Sequence, residues 1–140
     1  ETGMSMLFVT HNLGVVAQYA DAVAVMYAGR IVESARVHDL FARPEHPYTR
    51  GLLACLPGVA RRQAQATDHA TAAGRRKLVA IPGQVSSPLA PPPGCAFAPR
   101  CARQQPDCTH AMPALEAAGP RRMVRCLHRE EHAEPAEVSA

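Results

Sequence analysis

The chain has 140 residues with no tryptophan, 4% aromatic residues and 13 prolines, so a single large hydrophobic core is not expected. Its 15 lysines and arginines against 12 acidic residues give a net charge of +3, which is too weak by itself to indicate nucleic-acid binding. No stretch approaches the roughly 18 to 20 apolar residues of a membrane span, and no signal peptide opens the chain, so we expect a cytoplasmic protein.

Composition divides the sequence into three parts and a tail. Residues 1–57 carry nearly all of the apolar periodicity. Residues 58–77 show no core-forming pattern and are predicted to be a linker or a surface insertion. Residues 78–128 are rich in proline and contain four of the five cysteines, and residues 129–140 are predicted to be a disordered tail.

The first predicted element is a strand at Met6–Thr10. Its continuous apolar run is typical of a strand buried on both faces of a parallel sheet. His11 follows at the tip of this strand. Asn12 is a suitable N-cap and predicts a short helix over Leu13–Tyr19.

A β-hairpin is predicted after this helix. Its strands are Ala22–Tyr27 and Arg30–Glu33, and Ala28–Gly29 form the turn. A strand as apolar as Met6–Thr10 needs neighbours on both edges, so we expect most strands of its sheet to lie outside this chain.

Two helices complete the first part. One spans Val37–Ala42 and ends before Pro44. The other begins at His46–Pro47, with proline at the first helical position, and its apolar face comprises Tyr48, Leu52, Cys55 and Leu56. We expect the segment from His46 to Arg50 to serve packing rather than catalysis, and Cys55 to be a small core residue. Together these elements predict the end of an α/β domain.

Four cysteines distinguish the last third of the chain. Cys95, Cys101, Cys108 and Cys126 follow the pattern C-x5-C-x6-C-x17-C among prolines and arginines. Because this segment has almost no apolar run, a metal ion or cluster is expected to hold it together. Thiols are kept reduced in the cytosol, which favours metal ligation over disulfides.

The cysteine spacing does not identify which metal ion or cluster the segment holds. Zinc accepts four thiolates, although it favours pairs of ligands spaced by about two to four residues, which this pattern lacks. His110 or His128 could replace one thiolate in a mixed site. Free thiols or a disulfide pair are the remaining alternatives. If a metal centre forms, we expect it to be structural rather than redox-active.

The basic residues offer a different interpretation. Basic side chains flank the predicted linker and arginines surround the cysteines, as in a small metal-binding module that grips nucleic acid. Phe97 is the one aromatic residue there for base stacking, so a solvated basic face is favoured and no nucleic-acid partner is expected.

A phosphate-binding loop of the form G-x-x-x-x-G-K-[ST] does not occur in the sequence. Without it, these residues cannot cradle the phosphates of a nucleotide, and we predict that the chain alone does not hydrolyse ATP. A role within a larger enzyme is left open.

Several motifs together resemble a known family. The runs Leu7–Val16 and Ala20–Glu33 resemble the last portion of the ATP-binding subunits of ABC transporters. A narrower resemblance, to dipeptide and oligopeptide importers, rests on His46-Pro47-Tyr48-Thr49-Arg50, Ile81-Pro82-Gly83, and Gly94-Cys95 with Pro99-Arg100-Cys101. The resemblance covers roughly residues 1–128.

The resemblance implies roles for single residues. His11 resembles the switch histidine, which reaches the γ-phosphate of ATP and helps to place the attacking water. Asn12 stands where the family more often has aspartate, and little loss is expected because asparagine still caps a helix. The resemblance also implies a [4Fe-4S] cluster, with zinc as the second candidate, ligated by Cys95, Cys101, Cys108 and Cys126.

For the whole chain, the resemblance implies an α/β fold: the C-terminal remnant of an ABC-type P-loop ATPase domain, followed by a loop-rich four-cysteine segment. The phosphate loop, the Mg-binding strand end and the signature loop would lie before Glu1. ATP and Mg would bind in the complete subunit, which would import dipeptides or oligopeptides with a second ATP-binding subunit and membrane permease subunits, from the inner face of the membrane. A free-standing Fe-S or zinc interaction module is the alternative.

Overall fold

The computed structural model describes residues 3–56, 81–85, 87 and 89–129. Within these ranges the chain forms three α-helices and one four-stranded antiparallel sheet. No helix in the described ranges is long and apolar enough to cross a membrane. The predicted linker at 58–77 and all but the first residue of the predicted tail lie outside the described residues.

Helix α1 spans Leu13–Tyr19, as predicted, and Asn12 caps its first turn. The side-chain oxygen of Asn12 accepts hydrogen bonds from the backbone N–H groups of Gly14 at 3.0 Å and Val15 at 3.3 Å. The predicted asparagine cap is therefore confirmed.

Strands β1 (Ala22–Tyr27) and β2 (Arg30–Arg36) form the predicted hairpin, and β2 continues beyond its predicted end. Ala28 and Gly29 make the turn with φ values of 48° and 76°, the pair of left-handed residues that a type I′ turn requires. This turn matches the twist of the strands, so the short loop helps to set their register. Val32 is the extra residue of a bulge in β2.

Helices α2 (Val37–Ala42) and α3 (Pro47–Ala54) begin where the sequence predicts. His46 is the N-cap of α3, because its Nδ1 accepts a hydrogen bond from the Tyr48 N–H at 3.0 Å. Pro47 follows in the first turn, where a missing N–H costs the helix no hydrogen bond.

The C-terminal part adds two strands that the sequence does not predict. Strands β3 (Glu116–Gly119) and β4 (Arg122–Val124) form a hairpin, and β4 pairs with β2 to give the sheet order β1-β2-β4-β3. The cysteine segment therefore contains more regular structure than expected. The short strand β4 owes its conformation to pairing with its neighbours, since three residues carry no periodic pattern of their own.

The predicted strand at Met6–Thr10 is absent from the described chain, and this prediction is corrected. Residues 3–12 adopt neither helix nor strand, and Leu7 and Val9 are 91% and 95% exposed. A doubly buried strand needs a neighbour on each edge, and the described sheet offers this segment none. That sheet is also antiparallel throughout, whereas a parallel sheet was expected.

A small core lies between the sheet, the helices and the cysteine segment. Its buried members come from both parts of the chain: Val25, Tyr27, Val32, Ala35, Leu40, Leu53, Ala96 and Phe97. The rings of Tyr27 and Phe97 meet edge to face with their centroids 5.3 Å apart. The first part of the chain and the cysteine segment therefore share one sheet and one core.

Candidate metal centre

Four cysteines from three segments of the chain line one cavity. They come from two short 3-10 helices and their flanks, at Ala98–Arg100 and Pro106–Thr109, and from the segment after β4. The four are free thiols rather than disulfides, and they are Cys95, Cys101, Cys108 and Cys126. The fold thus brings together the side chains that the sequence predicts as ligands, while their role as ligands stays a prediction.

A backbone contact between Cys95 and Cys108 fixes one side of the cavity. The Cys95 N–H donates to the Cys108 carbonyl oxygen at 2.8 Å. Gly94 permits this approach, because a Cβ there would overlap the Cys108 carbonyl and lie 2.7 Å from the Cα of Thr109. Space, rather than an unusual backbone angle, therefore requires glycine at this position.

Arg100 fixes the chain just before Cys101. Its guanidinium donates to the carbonyl oxygens of Ile81 and Pro82, each at 2.9 Å. A Cβ on Gly83, whose φ is 82°, would lie 3.1 Å from the Cγ of the same arginine. Two of the motifs that carry the family resemblance therefore contact each other through this side chain.

Arg125 fixes the chain just before Cys126. Its backbone N–H donates to the carbonyl of Val32 at 2.8 Å, so the bulge in β2 receives this segment. Its guanidinium donates to the carbonyls of Ile31 at 2.9 Å and Pro113 at 2.8 Å. The fourth cysteine is thus positioned by the hairpin of the first part.

A buried charge network joins the hairpin to the C-terminal part. Glu33 is fully buried and accepts hydrogen bonds from the backbone N–H groups of Glu45 at 3.0 Å and His46 at 2.9 Å. Arg122 donates to the same carboxylate at 2.9 Å, and also to two backbone carbonyls at the end of α2. The start of α3 is therefore anchored to β2 and β4 together.

Burial raises the pKa values of three thiols in the cavity. It is the main cause of the raised pKa of Cys95 and Cys101, and it raises the pKa of Cys126 to about 11. Neighbouring cysteines add to each rise in pKa. These three groups are therefore protonated near neutral pH, and a metal that binds them must displace their protons.

Asp107 and His128 are hydrogen-bonded to each other beside Cys108. The Nε2 atom of His128 lies 2.8 Å from both carboxylate oxygens of Asp107, and this hydrogen bond lowers the pKa of Asp107. The ligand atoms of Asp107, Cys108 and His128 lie within 4.8 Å of one another, whereas no three of the four cavity sulfurs in the described chain are so close. His110 is exposed and lies outside the cavity lining.

His46 also lines this cavity, which the sequence analysis missed. The residue is 1% exposed, and desolvation by burial lowers its pKa to about 4, with a partial offset from the backbone of Arg125. No described residue meets hydrogen-bond geometry with its Nε2 atom, although the backbone of Arg125 lies close enough to favour the charged ring. The sequence signal was a histidine before a proline at a helix start, which predicts a cap and nothing about the cysteines.

His11, the predicted catalytic residue, lies outside this cavity. It is exposed and belongs to the unpaired segment before α1. Its role with ATP stays a prediction. Cys55, the fifth cysteine, is half-buried after α3, and its Sγ donates to the Gly51 carbonyl at 3.1 Å.

A family model described as the oligopeptide/dipeptide transporter, C-terminal region, matches residues 32–108, more than half of the chain. The match runs from strand β2 through α3 to the third cysteine of the cavity. The chain belongs to this family.

Curated relatives agree with the family match. A Brucella ovis protein named for peptide import and ATP binding is 48% identical over 133 residues, 94% of this chain and 37% of its own length. The oligopeptide transport ATP-binding protein AppD of Bacillus subtilis is 46% identical over 131 residues, 93% of the chain and 36% of AppD. The dipeptide transport ATP-binding protein DppF of Escherichia coli is 41% identical over 119 residues, 85% of the chain and 32% of DppF. The chain spans about a third of the length of these relatives.

Proposed function

We propose that the chain is the C-terminal portion of an ATP-binding subunit that powers ABC-type import of dipeptides or oligopeptides. The observation that carries this proposal is the family match over residues 32–108, and the names of the relatives support it. The complete subunit binds ATP and Mg, works from the inner face of the cytoplasmic membrane, and acts with a second ATP-binding subunit and membrane permease subunits.

In this proposal the segment before α1 completes a larger nucleotide-binding domain. The near-complete exposure of Leu7 and Val9 supports an upstream part of that domain as their neighbour. Pairing with it makes Met6–Thr10 a central strand with His11 at its tip. There His11 contacts the γ-phosphate and orients the attacking water.

An exchange with AppD of Bacillus subtilis tests this function. This chain replaces the aligned C-terminal third of AppD in cells that lack AppD, and we expect the hybrid subunit to restore uptake of a labelled oligopeptide. In the hybrid, His11→Ala is expected to lower uptake and ATP hydrolysis by about 10²-fold or more, because the attacking water loses its orienting group. His38→Ala, at an exposed histidine, is the matched control and leaves both rates unchanged.

The two parts of this proposal can fail separately. A hybrid that assembles with the permease but imports no peptide contradicts the function. A His11→Ala hybrid with normal ATP hydrolysis contradicts the assignment of His11 alone.

We further propose that Cys95, Cys101, Cys108 and Cys126 hold a [4Fe-4S] cluster as thiolate ligands. Four thiolates around one cavity are a donor set that suits such a cluster. The C-x5-C-x6-C-x17-C spacing lacks the pairs of ligands about two to four residues apart that zinc favours, which supports a cluster over zinc.

The proposed cluster has a structural role. When bound, it supplies four metal–thiolate bonds that close the loops of the C-terminal part on one another. The chain itself holds this unit against the first part through Arg122 and Arg125, and through a hydrogen bond from Arg100 to the Tyr27 hydroxyl at 3.4 Å. The cluster stabilises the C-terminal part, and these arginines attach that part to the end of the nucleotide-binding domain.

A mononuclear zinc site is the second candidate, and one observation favours it. Asp107, Cys108 and His128 already lie within 4.8 Å of one another, and zinc accepts this mixture of oxygen, sulfur and nitrogen ligands. In that case His128→Ala lowers the zinc content of the protein, whereas a four-cysteine cluster survives this substitution.

A further inference from the structure

His46 lines the cavity of the four cysteines, and its Nε2 has no well-aligned hydrogen-bond partner in the described chain. Its Nδ1 accepts the Tyr48 N–H at 3.0 Å, so this nitrogen holds a lone pair and no proton. A neutral ring then carries its proton on Nε2. That N–H group is buried, and no described residue meets hydrogen-bond geometry with it, although the backbone of Arg125 lies close enough to favour the charged ring.

The ring of His46 is neutral in this arrangement, because the Nδ1 that accepts the Tyr48 N–H carries no proton. A buried donor without a well-aligned acceptor destabilises the protein, and the nearby Arg125 backbone does not meet hydrogen-bond geometry with it. An acceptor inside the cavity would remove this destabilisation.

Contacts on several sides hold the ring of His46 in place. Its backbone N–H donates to the buried carboxylate of Glu33 at 2.9 Å, and Tyr48 holds Nδ1. The ring of Phe97 packs against it with a centroid separation of 5.9 Å and an angle of 55°. The donor is therefore fixed before any ligand enters the cavity.

We propose that His46 donates its Nε2–H to a sulfur of the cluster, either a cysteine thiolate or an inorganic sulfide, and thereby raises the reduction potential of the cluster. This inference rests on the proposed four-cysteine cluster. A hydrogen bond withdraws electron density from sulfur and so stabilises the reduced, more negative form. The same hydrogen bond links the centre to the start of α3, where His46 is the N-cap.

Two amide substitutions separate the roles of the two ring nitrogens. In His46→Asn, the amide oxygen replaces Nδ1 as the cap of α3, but no donor reaches the position of Nε2. In His46→Gln, the longer side chain carries an amide N–H to the position of Nε2 and gives up the cap. If His46 only caps the helix, His46→Gln is expected to disturb the cluster more than His46→Asn does.

The readout is the midpoint potential of the cluster, followed by EPR in redox titrations of the full chain purified without oxygen. We expect His46→Asn to lower the potential by about 59 mV, which for one electron is a tenfold change in the ratio of reduced to oxidised cluster. His46→Gln is expected to stay near the wild-type potential. His110→Asn, at an exposed histidine outside the cavity, is the matched control and leaves the potential unchanged.

A second measurement does not depend on the folding of these variants. In a His128→Ala chain labelled with 15N-histidine, pulsed EPR of the reduced cluster is expected to detect coupling to an imidazole nitrogen and to an exchangeable proton. Absence of both couplings overturns the inference. The His128→Ala background removes the other histidine that lines the cavity.

The hydrogen bond from His46 and the four-cysteine cluster can be contradicted separately. A wild-type chain that contains no iron and no sulfide overturns the cluster itself, and the role of His46 falls with it. A wild-type cluster whose potential is unchanged by His46→Asn, or changed more by His46→Gln, overturns the inference alone and makes His46 a helix cap only.

Discussion

Three arginines join the C-terminal part of the chain to its hairpin and neighbouring loops. Arg100, Arg122 and Arg125 each donate to backbone carbonyls of distant segments, with distances between 2.7 and 2.9 Å. A guanidinium has five donors in a rigid plane, so one side chain can satisfy several carbonyls at once. Directional bonds therefore compensate for the small number of large apolar residues.

Arg122→Met is expected to lower the free energy of unfolding by about 3–5 kcal/mol, because it leaves the buried carboxylate of Glu33 without its cation. Chemical denaturation of the purified chain measures this change. Arg121→Met alters the adjacent exposed arginine and is expected to change stability by less than about 0.5 kcal/mol. Equal losses of unfolding free energy in the two variants would show that the buried network does not stabilise the fold.

Gly94→Ala is expected to reduce the metal content of the protein severely, because the new methyl group overlaps the Cys108 carbonyl and separates it from Cys95. Elemental analysis after anaerobic purification measures the bound metal. Gly14→Ala adds the same methyl group in α1, where it meets only the Asn12 side-chain oxygen at 3.1 Å, and is expected to keep the metal content of the wild type. Full metal content in Gly94→Ala would contradict the close approach of the two cysteines.

At the level of elements, the hairpin turn offers room for stabilisation. Ala28 has a φ of 48°, a left-handed conformation that asparagine tolerates better than alanine. Ala28→Asn is therefore expected to raise the free energy of unfolding by about 0.5–1 kcal/mol in urea titrations. Gly29→Ala, at a φ of 76°, is expected to lower it. A loss of stability in Ala28→Asn would argue against the type I′ turn.

The elements that could be predicted carry local signals. Asn12 caps α1, Ala28–Gly29 turn the hairpin, and Pro47 opens α3. Strand β4 has no such signal, because its three residues become a strand by pairing with β2. For Met6–Thr10 the error is the reverse, because a strand is predicted and none forms. A strong apolar pattern makes no strand without neighbouring strands to pair with.

For the whole molecule, the sequence predicts the four cysteines of the cavity but does not predict that His46 lies beside them. The four cysteines stand out because they lie in a segment with almost no apolar run. The position of His46 depends on the docking of α3, which rests on an ion pair between Glu33 and Arg122, 89 residues apart. Composition and spacing contain no trace of so distant a pairing.

The metal and sulfide content of the anaerobically purified chain tests the four-cysteine centre most directly. We expect about four iron and four sulfide per chain, with a broad brown absorption. Cys126→Ser is expected to lose nearly all of both. Cys55→Ser is expected to keep the iron and sulfide content of the wild type, because the Cys55 thiol lies outside the cavity. A colourless protein with stoichiometric zinc, or equal losses of iron in the two variants, would contradict the cluster.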